Sequence, residues 1–226
     1  MSELFDDAEG YDEMLRRGIK LSGEDKFFFI RGRLAHLKRV LPSSLQPRRV
    51  LDFGCGVGDA TALLAESFPG ATVVGVDVAE AAVQKADATR SSSTVSFGTV
   101  DALHEVEPFD VCYVNGAFHH IPPAERLAVM QSIHAAMRPG GALSVFENNP
   151  WSIPARVVMR RIPFDADAVL VHSCELHRLA LQAGFASVES TRYLFVFPKF
   201  LKALRRLEAA LSPLPLGAQY AVLATR

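Results

Sequence analysis

The stretch VLDFGCGVGDAT, from Val50 to Thr61, constrains the fold of this chain more than any other. An apolar run passes directly into three glycines at alternate positions, and an aspartate stands two residues before the first of them. Glycine adopts backbone conformations with positive φ that other residues avoid, so such a turn lets a ligand approach the main chain closely. The pattern predicts a buried strand, a tight ligand-binding turn and a helix that begins at Asp59.

Strands and helices alternate along the middle of the chain. Strands are predicted at Arg48–Gly54, at Ala71–Asp77 and in three later segments, TVSFGTVDA, FDVCYVNGAF and ALSVFE. Helices are predicted between them, and the last of these opens at Pro122 and stops at RPGG. Strands separated by helices require right-handed crossovers, so the pattern favours a parallel sheet with helices on both faces.

The two ends of the chain depart from this alternation. Before the first strand, Ser22 and Asp25 form a capping-box pattern, and apolar residues follow at helical spacing up to Leu41. After the fifth strand, an irregular, proline-containing segment precedes a helix at His172–Ala183. SVESTRYLFVFP and GAQYAVLATR then predict two closing strands. We expect the helix between them, Lys199–Leu211, to pack in the core rather than lie on a membrane surface.

Composition indicates one large domain, or one domain with a small cap, since 226 residues of which 49% are hydrophobic can bury a full core. The formal net charge is −1, so no global field draws the chain to nucleic acid or to an anionic membrane, although peripheral membrane contact stays open. The first residues are acidic and contain no apolar signal region. The three cysteines lack the spacing of metal ligands, so we expect them to be reduced thiols. We therefore expect a cytoplasmic protein without a metal site or an integral membrane segment.

The spacing of the glycines indicates which ligand the turn binds. A dinucleotide fingerprint has the form G-x-G-x-x-G, whereas Gly54, Gly56 and Gly58 give G-x-G-x-G, and the G-K-[ST] of a phosphate-binding loop is absent. Asp52 and Asp59 would repel a pyrophosphate but attract a ligand that carries an ammonium group. The turn therefore favours a cationic ligand over a phosphate.

Five motifs follow one another on successive predicted strands: VLDFGCGVG, VVGVD, the turn at Asp101, NGAFHHIP and MRPGGALSV. Together they resemble the class I S-adenosylmethionine (SAM)-dependent methyltransferases, in the small-molecule group that includes ubiquinone-type methylases. The resemblance covers about Val50 to Phe146. It implies an α/β, Rossmann-like sheet of seven mostly parallel strands, the last one antiparallel, with helices on both faces.

The resemblance also implies roles for residues at the strand ends. The turn around Asp52 would hold the methionine part of SAM, Asp77 the ribose hydroxyls, and Asp101–Ala102 the adenine. Asn115–Gly116 would lie against the sulfonium. The expected cofactor-binding residues are Asp52, Gly54, Cys55, Gly56, Gly58, Asp77, Val78, Asp101, Ala102, Asn115 and Gly116.

His119 and His120 follow the fourth strand. In related enzymes, a histidine pair at this position faces both the cofactor and the acceptor. In one interpretation a histidine is a general base that takes a proton from an acceptor hydroxyl, because imidazole titrates near neutrality. In the other, one of them, His120 in particular, orients the loop by hydrogen bonding. Both stay open, since methyl transfer to a good nucleophile needs mainly positioning.

Acceptor-side residues are expected after the fifth strand. Asn149-Pro150-Trp151 resembles the N-P-P-aromatic motif of amino-methylating nucleic-acid enzymes, but that motif follows the fourth strand, so we regard the match as coincidental. Glu147 and Asn149 nevertheless lie at the carboxyl end of a central strand, where ligands bind in open α/β sheets. We predict that both line the acceptor pocket, with a polar turn as the alternative.

Two further segments, YDEMLRRGIKLSGEDKFFFIRGR and RIPFDADAVLV, resemble a branch of bacterial methyltransferases and suggest a helical lid at the N-terminus. Tyr11 and Arg33 would reach inward from this lid. Arg33 could pair with an acidic acceptor group, because guanidinium grips carboxylate or phosphate in a fork; a solvated helix face is the alternative. The predicted organisation is a cap over residues 1–43 and a methyltransferase domain over 44–226, with an acceptor-side insertion at 147–170.

The sequence therefore predicts a SAM-dependent methyltransferase that acts on a small molecule, at oxygen. The alternatives are a SAM-binding protein without transfer activity and a methyltransferase acting on nitrogen or carbon of a metabolite or lipid-linked acceptor. A nicotinamide oxidoreductase would require the other glycine spacing, and a nucleic-acid methyltransferase would require a basic face, so no nucleic-acid partner is expected. The sequence carries no signal for the acceptor's identity or for the oligomeric state.

Overall fold

A single mixed sheet forms the centre of the molecule in the computed structural model, which describes residues 18–105, 107–160 and 168–226. Its strands are β1 (Arg49–Phe53), β2 (Thr72–Asp77), β3 (Val95–Thr99), β4 (Phe109–Asn115), β5 (Met137–Asn148), β6 (Ser187–Val188), β7 (Arg192–Leu194) and β8 (Gln219–Thr225).

Helices connect and cover the strands. The α-helices are α1 (Lys26–Val40), α2 (Asp59–Ser67), α3 (Glu80–Arg90), α4 (Arg126–Ala136), α5 (Ile153–Met159), α6 (Ser173–Ala183) and α7 (Glu208–Leu211). Short 3₁₀ segments lie at Lys20–Ser22, Val100–Glu105, Phe118–His120 and Lys199–Leu207. In the described parts of the chain, none of these helices has the length and apolar character needed to cross a membrane.

The strand order confirms the α/β architecture expected from the sequence. The order is β3-β2-β1-β4-β5-β8-β6, and β7 also pairs with β8. The strands from β3 to β5 are parallel, and β8 runs antiparallel to β5. β6 and β7 pair with opposite ends of β8. The segment SVESTRYLFVFP, predicted as one strand of a seven-stranded sheet, therefore forms two short strands in that strand's place.

Two hydrophobic cores lie on the two faces of the sheet. Successive strand residues point to opposite faces, so Val50 belongs to one core and Leu51 to the other. On the first face α1 and α2 cover the sheet, and on the second face α4 and α6 do so. The strands are buried on both sides, which explains their continuous apolar sequences. Because all crossovers start at the carboxyl ends of the parallel strands, the loops that carry polar residues gather at one edge.

Two helices begin later than the sequence suggested. Asp25, not Ser22, is the N-cap of α1, and its carboxylate accepts the backbone N–H of Phe28 at 2.8 Å. The Ser22 hydroxyl instead donates to the carbonyl of Ile19 within the preceding 3₁₀ turn. Likewise α4 begins at Arg126, because residues 122–125 form a separate turn. In both places the residue that the sequence suggested as the helix start, Ser22 or Pro122, lies in a turn before the helix.

The prediction of a core-packed helix at Lys199–Leu211 is wrong. Residues 199–207 form a 3₁₀ segment with no buried side chain, and only the last turn is α-helical. Arg205 is the side chain that turns inward: its Nε donates to the carbonyl of Phe197, its Nη2 lies 2.9 Å from Glu24, and its guanidinium stacks 4.4 Å over the ring of Phe28. Alternation of apolar and basic residues shows that a segment has two faces, but not which face lies against the protein.

Candidate active site

The glycine-rich turn between β1 and α2 forms the floor of the site. Gly54, Gly56 and Gly58 have φ values of 77°, 52° and 81°, which only glycine adopts without strain. A Cβ on Gly54 would lie 2.9 Å from that of Ala117, and one on Gly58 would lie 2.7 Å from the ring of Phe97. A Cβ on Gly56 would meet nothing within 4 Å, because this residue faces a cavity. The first and third glycines are therefore needed for packing, and the second exposes the main chain.

The cavity has a volume of about 1660 Å³ and lies over the carboxyl ends of the parallel strands. One side is built from the glycine turn and the polar ends of β1, β2 and β4. The opposite side is built from the start of α1, from α5 and from Phe195–Pro198, and is largely aromatic and aliphatic. The cavity thus joins a polar compartment to an apolar one.

Asp52 is a buried carboxylate in the floor of this cavity, with 2% of its surface exposed. Burial raises its pKa to about 7; the hydroxyl of Thr61, which donates to Oδ2 at 2.6 Å, opposes this rise. The nearby charge of Asp77 raises the pKa further, and that of Arg33 lowers it. A cation bound beside Asp52 would favour its charged form, so the residue suits an ammonium group.

Asp59 also lines the cavity, but its charge is shared with two cationic side chains of the protein. Its carboxylate forms ion pairs with Lys26, at 2.6 Å, and with Arg90. Arg90 also donates to the carbonyl of Val57, so it ties the glycine turn to α3. Asp59 therefore holds the turn in place, and its charge is balanced by these two cations.

The remaining predicted cofactor residues are unevenly placed. Asp77 lines the cavity, and its two oxygens accept the backbone N–H groups of Gly56 at 2.8 Å and Ala79 at 2.9 Å. Cys55 and the exposed Val78 also line the cavity. Asp101, by contrast, is exposed and outside the cavity lining, and the side chain of Ala102 lies outside the described part of the structure. Val100 lines the cavity on that side instead.

Asn115 and Gly116 complete the polar wall at the end of β4. The Oδ1 atom of Asn115 is buried and has no hydrogen-bond partner among the described residues, although Asn115 itself lines the cavity. An unpaired buried acceptor costs free energy, on the order of 1–3 kcal/mol. Gly116 has φ 65° and donates its N–H to Phe146, which turns the chain away from the strand.

His119 and Glu147 form a buried pair in the cavity wall. His119 Nδ1 lies 2.6 Å from Glu147 Oε2, and both side chains are less than 5% exposed. The other carboxylate oxygen accepts the N–H of Phe118 at 2.8 Å, so Glu147 fixes the loop as well as the ring. The rings of His119 and His120 lie 4.1 Å apart, and both residues line the cavity. Glu147 itself is not in the lining and reaches the cavity only through His119.

Arg126, which the sequence analysis did not single out, holds this loop from behind. Its fully buried guanidinium donates to the carbonyls of Phe118 and Ile121, and its Nη1 lies 2.8 Å from Glu175. It also donates to the carbonyl of Val169, which draws the segment after β5 onto the loop. A cation in the first turn of a helix is disfavoured by the helix dipole, but the sequence predicted a helix from Pro122, so Arg126 did not stand out as such a residue.

Arg33 lines the cavity, as the sequence predicted, and is held by two partners that the sequence did not reveal. Its Nε donates to the hydroxyl of Tyr113 and its Nη1 to the amide oxygen of Gln219, both at 2.9 Å. The side chain is 5% exposed, so the interpretation as a solvated helix face is wrong. Arg33 therefore places a rigid positive charge in the cavity wall.

Glu147 and Asn149, both predicted to line the acceptor pocket, lie outside the cavity lining. Asn149 is fully buried and lies outside the cavity lining; its amide donates to the carbonyls of Pro215 and Gly217, and its Oδ1 accepts the N–H of Trp151. Asn149 thus forms the polar turn given above as the alternative. Tyr11, and most of the RIPFDADAVLV segment, lie outside the described residues.

Strand order, an antiparallel β8 and a glycine turn over an acidic floor define the Rossmann-like class of SAM-binding α/β proteins. A sequence profile described as "Methyltransferase domain" matches residues 50–141. The chain is 31% identical over 152 residues to an uncharacterized methyltransferase of Synechocystis sp.. The matched region covers 65% of this chain and 70% of that protein. The chain belongs to the class I SAM-dependent methyltransferases, whose cofactor is SAM.

Further comparisons agree with this family. The chain is 33% identical over 120 residues to a trans-aconitate 2-methyltransferase of Rhodopseudomonas palustris, covering 52% of this chain and 45% of that protein. It therefore spans less than half the length of this relative. Among solved structures, a SAM-dependent methyltransferase from Archaeoglobus fulgidus superposes with a TM-score of 0.65 at 18% identity, over 89% of this chain and 100% of that one. This last likeness concerns the fold.

Proposed function

We propose that the protein transfers the methyl group of SAM to a hydroxyl oxygen of a small-molecule acceptor, with His119 as the general base. The observation that carries this proposal is the buried pair of His119 and Glu147 in the wall of the cavity, with 2.6 Å between Nδ1 and Oε2. A pair of this kind orients an imidazole and fixes its tautomer.

Residues at the strand ends fit the cofactor. The carboxylate of Asp52 would accept a hydrogen bond from the ammonium group of SAM, and Asn115, which also lines the cavity, would lie against the sulfonium. Within the described part of the chain each oxygen of Asp77 accepts one backbone N–H, which leaves a lone pair for a ribose hydroxyl. The open surface at Gly56 lets the ligand lie against the main chain. Bound SAM supplies an electrophilic methyl group on a positively charged sulfur.

The proton chemistry follows from the two carboxylate contacts of Glu147. A carboxylate at Nδ1 keeps the proton on that nitrogen, so the basic lone pair is on Nε2. His119 takes the hydroxyl proton at Nε2, and the negative charge of Glu147 stabilises the resulting imidazolium. A positioned base of this kind contributes about 10²–10⁴-fold to the rate.

Arg33 supports an acceptor that carries an acidic group in addition to its hydroxyl. The guanidinium is buried, held at Nε and Nη1, and lines the cavity. A fixed guanidinium binds carboxylate or phosphate with defined geometry. The R. palustris relative is named for an acid, trans-aconitate, which fits this choice. The N-terminal segment, with Tyr11, is proposed to close over the same side, since Ile19 and the start of α1 line the cavity.

The test is a methyl-transfer assay with labelled SAM against a panel of hydroxy acids, phenols and simple carboxylic acids. With a hydroxyl acceptor, His119→Ala should lower kcat by about 10²–10⁴-fold, and Glu147→Gln should lower it by a smaller factor. The Kd for SAM, measured by calorimetry, should stay unchanged in both variants. His177→Gln is the matched control, because this histidine is bonded to Thr191 outside the cavity lining.

Carboxylate acceptors give the decisive comparison. A carboxylate has no proton to lose at neutral pH, so its methylation should not depend on a base. If His119→Ala lowers kcat equally for carboxylate and hydroxyl acceptors, His119 positions the acceptor and the base assignment is wrong. If the wild-type protein binds SAM but methylates no member of the panel or of a metabolite extract, the proposal of transfer activity fails.

A further inference from the structure

An exposed apolar rim, formed by residues 200–216, borders the cavity. Six large apolar side chains are exposed within residues 200–216: Phe200, Leu201, Leu204, Leu207, Leu214 and Leu216. Phe200 is 79% exposed, far more than a phenylalanine would be in a helix packed against the core. Six exposed apolar side chains within one segment of 17 residues are the kind of feature that indicates an interaction site.

The rim continues on the other side of the cavity. Phe200 and Leu216 line the cavity, and so do Ser152 and Pro154 at the start of α5. Trp151 and Ile153, which alternate with these residues, are 68% and 72% exposed. Apolar side chains from two separate parts of the chain therefore border one opening.

Basic residues accompany the apolar ones. Lys199, Lys202 and Arg206 are exposed on the same 3₁₀ segment, whereas Arg205 is directed inward and ion-paired with Glu24. Glu208 is the one acidic residue within 199–216, and its carboxylate accepts the N–H of Phe197. The rim is thus positively charged on a chain whose net charge is −1.

We infer that this rim docks the protein on the surface of an anionic phospholipid bilayer, with the cavity mouth facing the membrane. Exposed leucine and aromatic side chains beside lysine and arginine are the combination that binds the boundary between headgroups and acyl chains. The cations would face lipid phosphates, and each contributes to binding when it lies near the surface. This inference goes beyond the proposed methyl transfer and does not depend on it.

A second copy of the chain fits the rim less well. A symmetric dimer through this surface would bring two copies of the positively charged segment, each with Lys199, Lys202 and Arg206, into one interface. Like charges brought together across an interface oppose association. An anionic bilayer satisfies both the charge and the apolar side chains.

The experiment is co-sedimentation of the full chain with vesicles of phosphatidylcholine, with or without phosphatidylglycerol. We expect binding to the anionic vesicles, and a loss of binding on pure phosphatidylcholine and at high salt. The double variant Lys202→Glu/Arg206→Glu should weaken binding by at least about twentyfold, since each surface cation contributes about fivefold. The double variant Leu204→Ser/Leu207→Ser should weaken it by on the order of tenfold.

Two controls test the same chemical changes elsewhere. Leu181→Ser removes an exposed leucine from α6, and Lys85→Glu reverses an exposed charge on α3; both should bind vesicles like the wild type. SAM affinity, measured by calorimetry, shows that each variant is folded. The inference is overturned if the wild type does not bind anionic vesicles, or if the rim variants bind as well as the controls. It is also overturned if the leucine variant converts a dimer to a monomer in analytical ultracentrifugation, because the rim is then a subunit interface.

Discussion

Replacement of Asp52 by asparagine should change the pH dependence of stability in a defined direction. In the unfolded chain this carboxyl group has its ordinary pKa of 3.8, whereas burial raises the pKa to about 7 in the folded protein. Between these two values the native state holds a proton that the unfolded state has lost. The free energy of unfolding therefore falls as the pH rises through this window, and the stability that the neutral acid provides is gone above about pH 7.

The magnitude follows from the same two values. Each unit of difference between folded and unfolded pKa corresponds to about 1.4 kcal/mol, so a rise from 3.8 to about 7 corresponds to about 4 kcal/mol. Asparagine has nearly the same shape, stays neutral, and keeps an oxygen that can accept the hydroxyl hydrogen of Thr61. Asp52→Asn should therefore match the wild type near pH 4 and exceed its stability by about 4 kcal/mol near pH 8.

Urea unfolding of the cofactor-free protein across this pH range, followed by circular dichroism, measures the difference directly. Glu66→Gln, the same kind of change at an exposed position, is the control and should run parallel to the wild type. Calorimetry should show the opposite effect on function, with SAM affinity about 10–100-fold lower in Asp52→Asn because a charge-assisted hydrogen bond is lost. If the stability curves of Asp52→Asn and the wild type stay parallel between about pH 4 and pH 8, the reasoning from burial is refuted.

Two further predictions concern the other polar groups of the cavity. Arg33→Lys should raise KM for an acidic acceptor by about 10–100-fold in steady-state assays while the Kd for SAM stays constant, because lysine cannot replace the fork that Tyr113 and Gln219 hold; an equal loss with a neutral acceptor would contradict this. Asp77→Ala should weaken SAM binding in calorimetry by about 1–3 kcal/mol, since the ribose contact and the acceptor for the N–H of Gly56 are both lost. Unchanged affinity would place the ribose elsewhere.

Local rules explain why the polar side of the site could be predicted. Asp77 and Asn115 end parallel strands and Asp52 is the last residue but one of β1. The ends of these strands meet at one edge of the sheet, which the alternation of strands and helices predicts. The glycine turn carries its own conformational requirement, which the φ values bear out. These rules place residues at the ends of strands, but not residues in the loops beyond them. Asp101 lies in the 3₁₀ segment after β3 and is exposed outside the cavity lining.

Errors arose where a short pattern fits two environments. An acid followed by paired asparagines at a strand end suits either a ligand pocket or a structural turn, and Asn149 took the second role because two loop carbonyls lie within reach of its amide. The amphipathic segment after Pro198 suits either a core face or an exposed face. Its outcome depends on Arg205, which forms the inward contacts with Glu24 and Phe28.

The partners of the functional side chains are separated from them by distances in sequence that no motif spans. Arg33 meets Tyr113 across 80 residues and Gln219 across 186, and Glu147 reaches back 28 residues to His119. A motif identifies a group that can do chemistry, but the tautomer of a histidine or the orientation of a guanidinium depends on a second group placed by the sheet. Since β5 and β8 are adjacent strands, one register brings Glu147 beside Tyr220 and Asn148 beside Gln219. The pairing of β4 with β5 places Glu147 near the loop after β4, and the pairing of β5 with β8 places Gln219, the partner of Arg33, beside Asn148. The proposed base and the cationic wall therefore both depend on the position of β5 in the sheet.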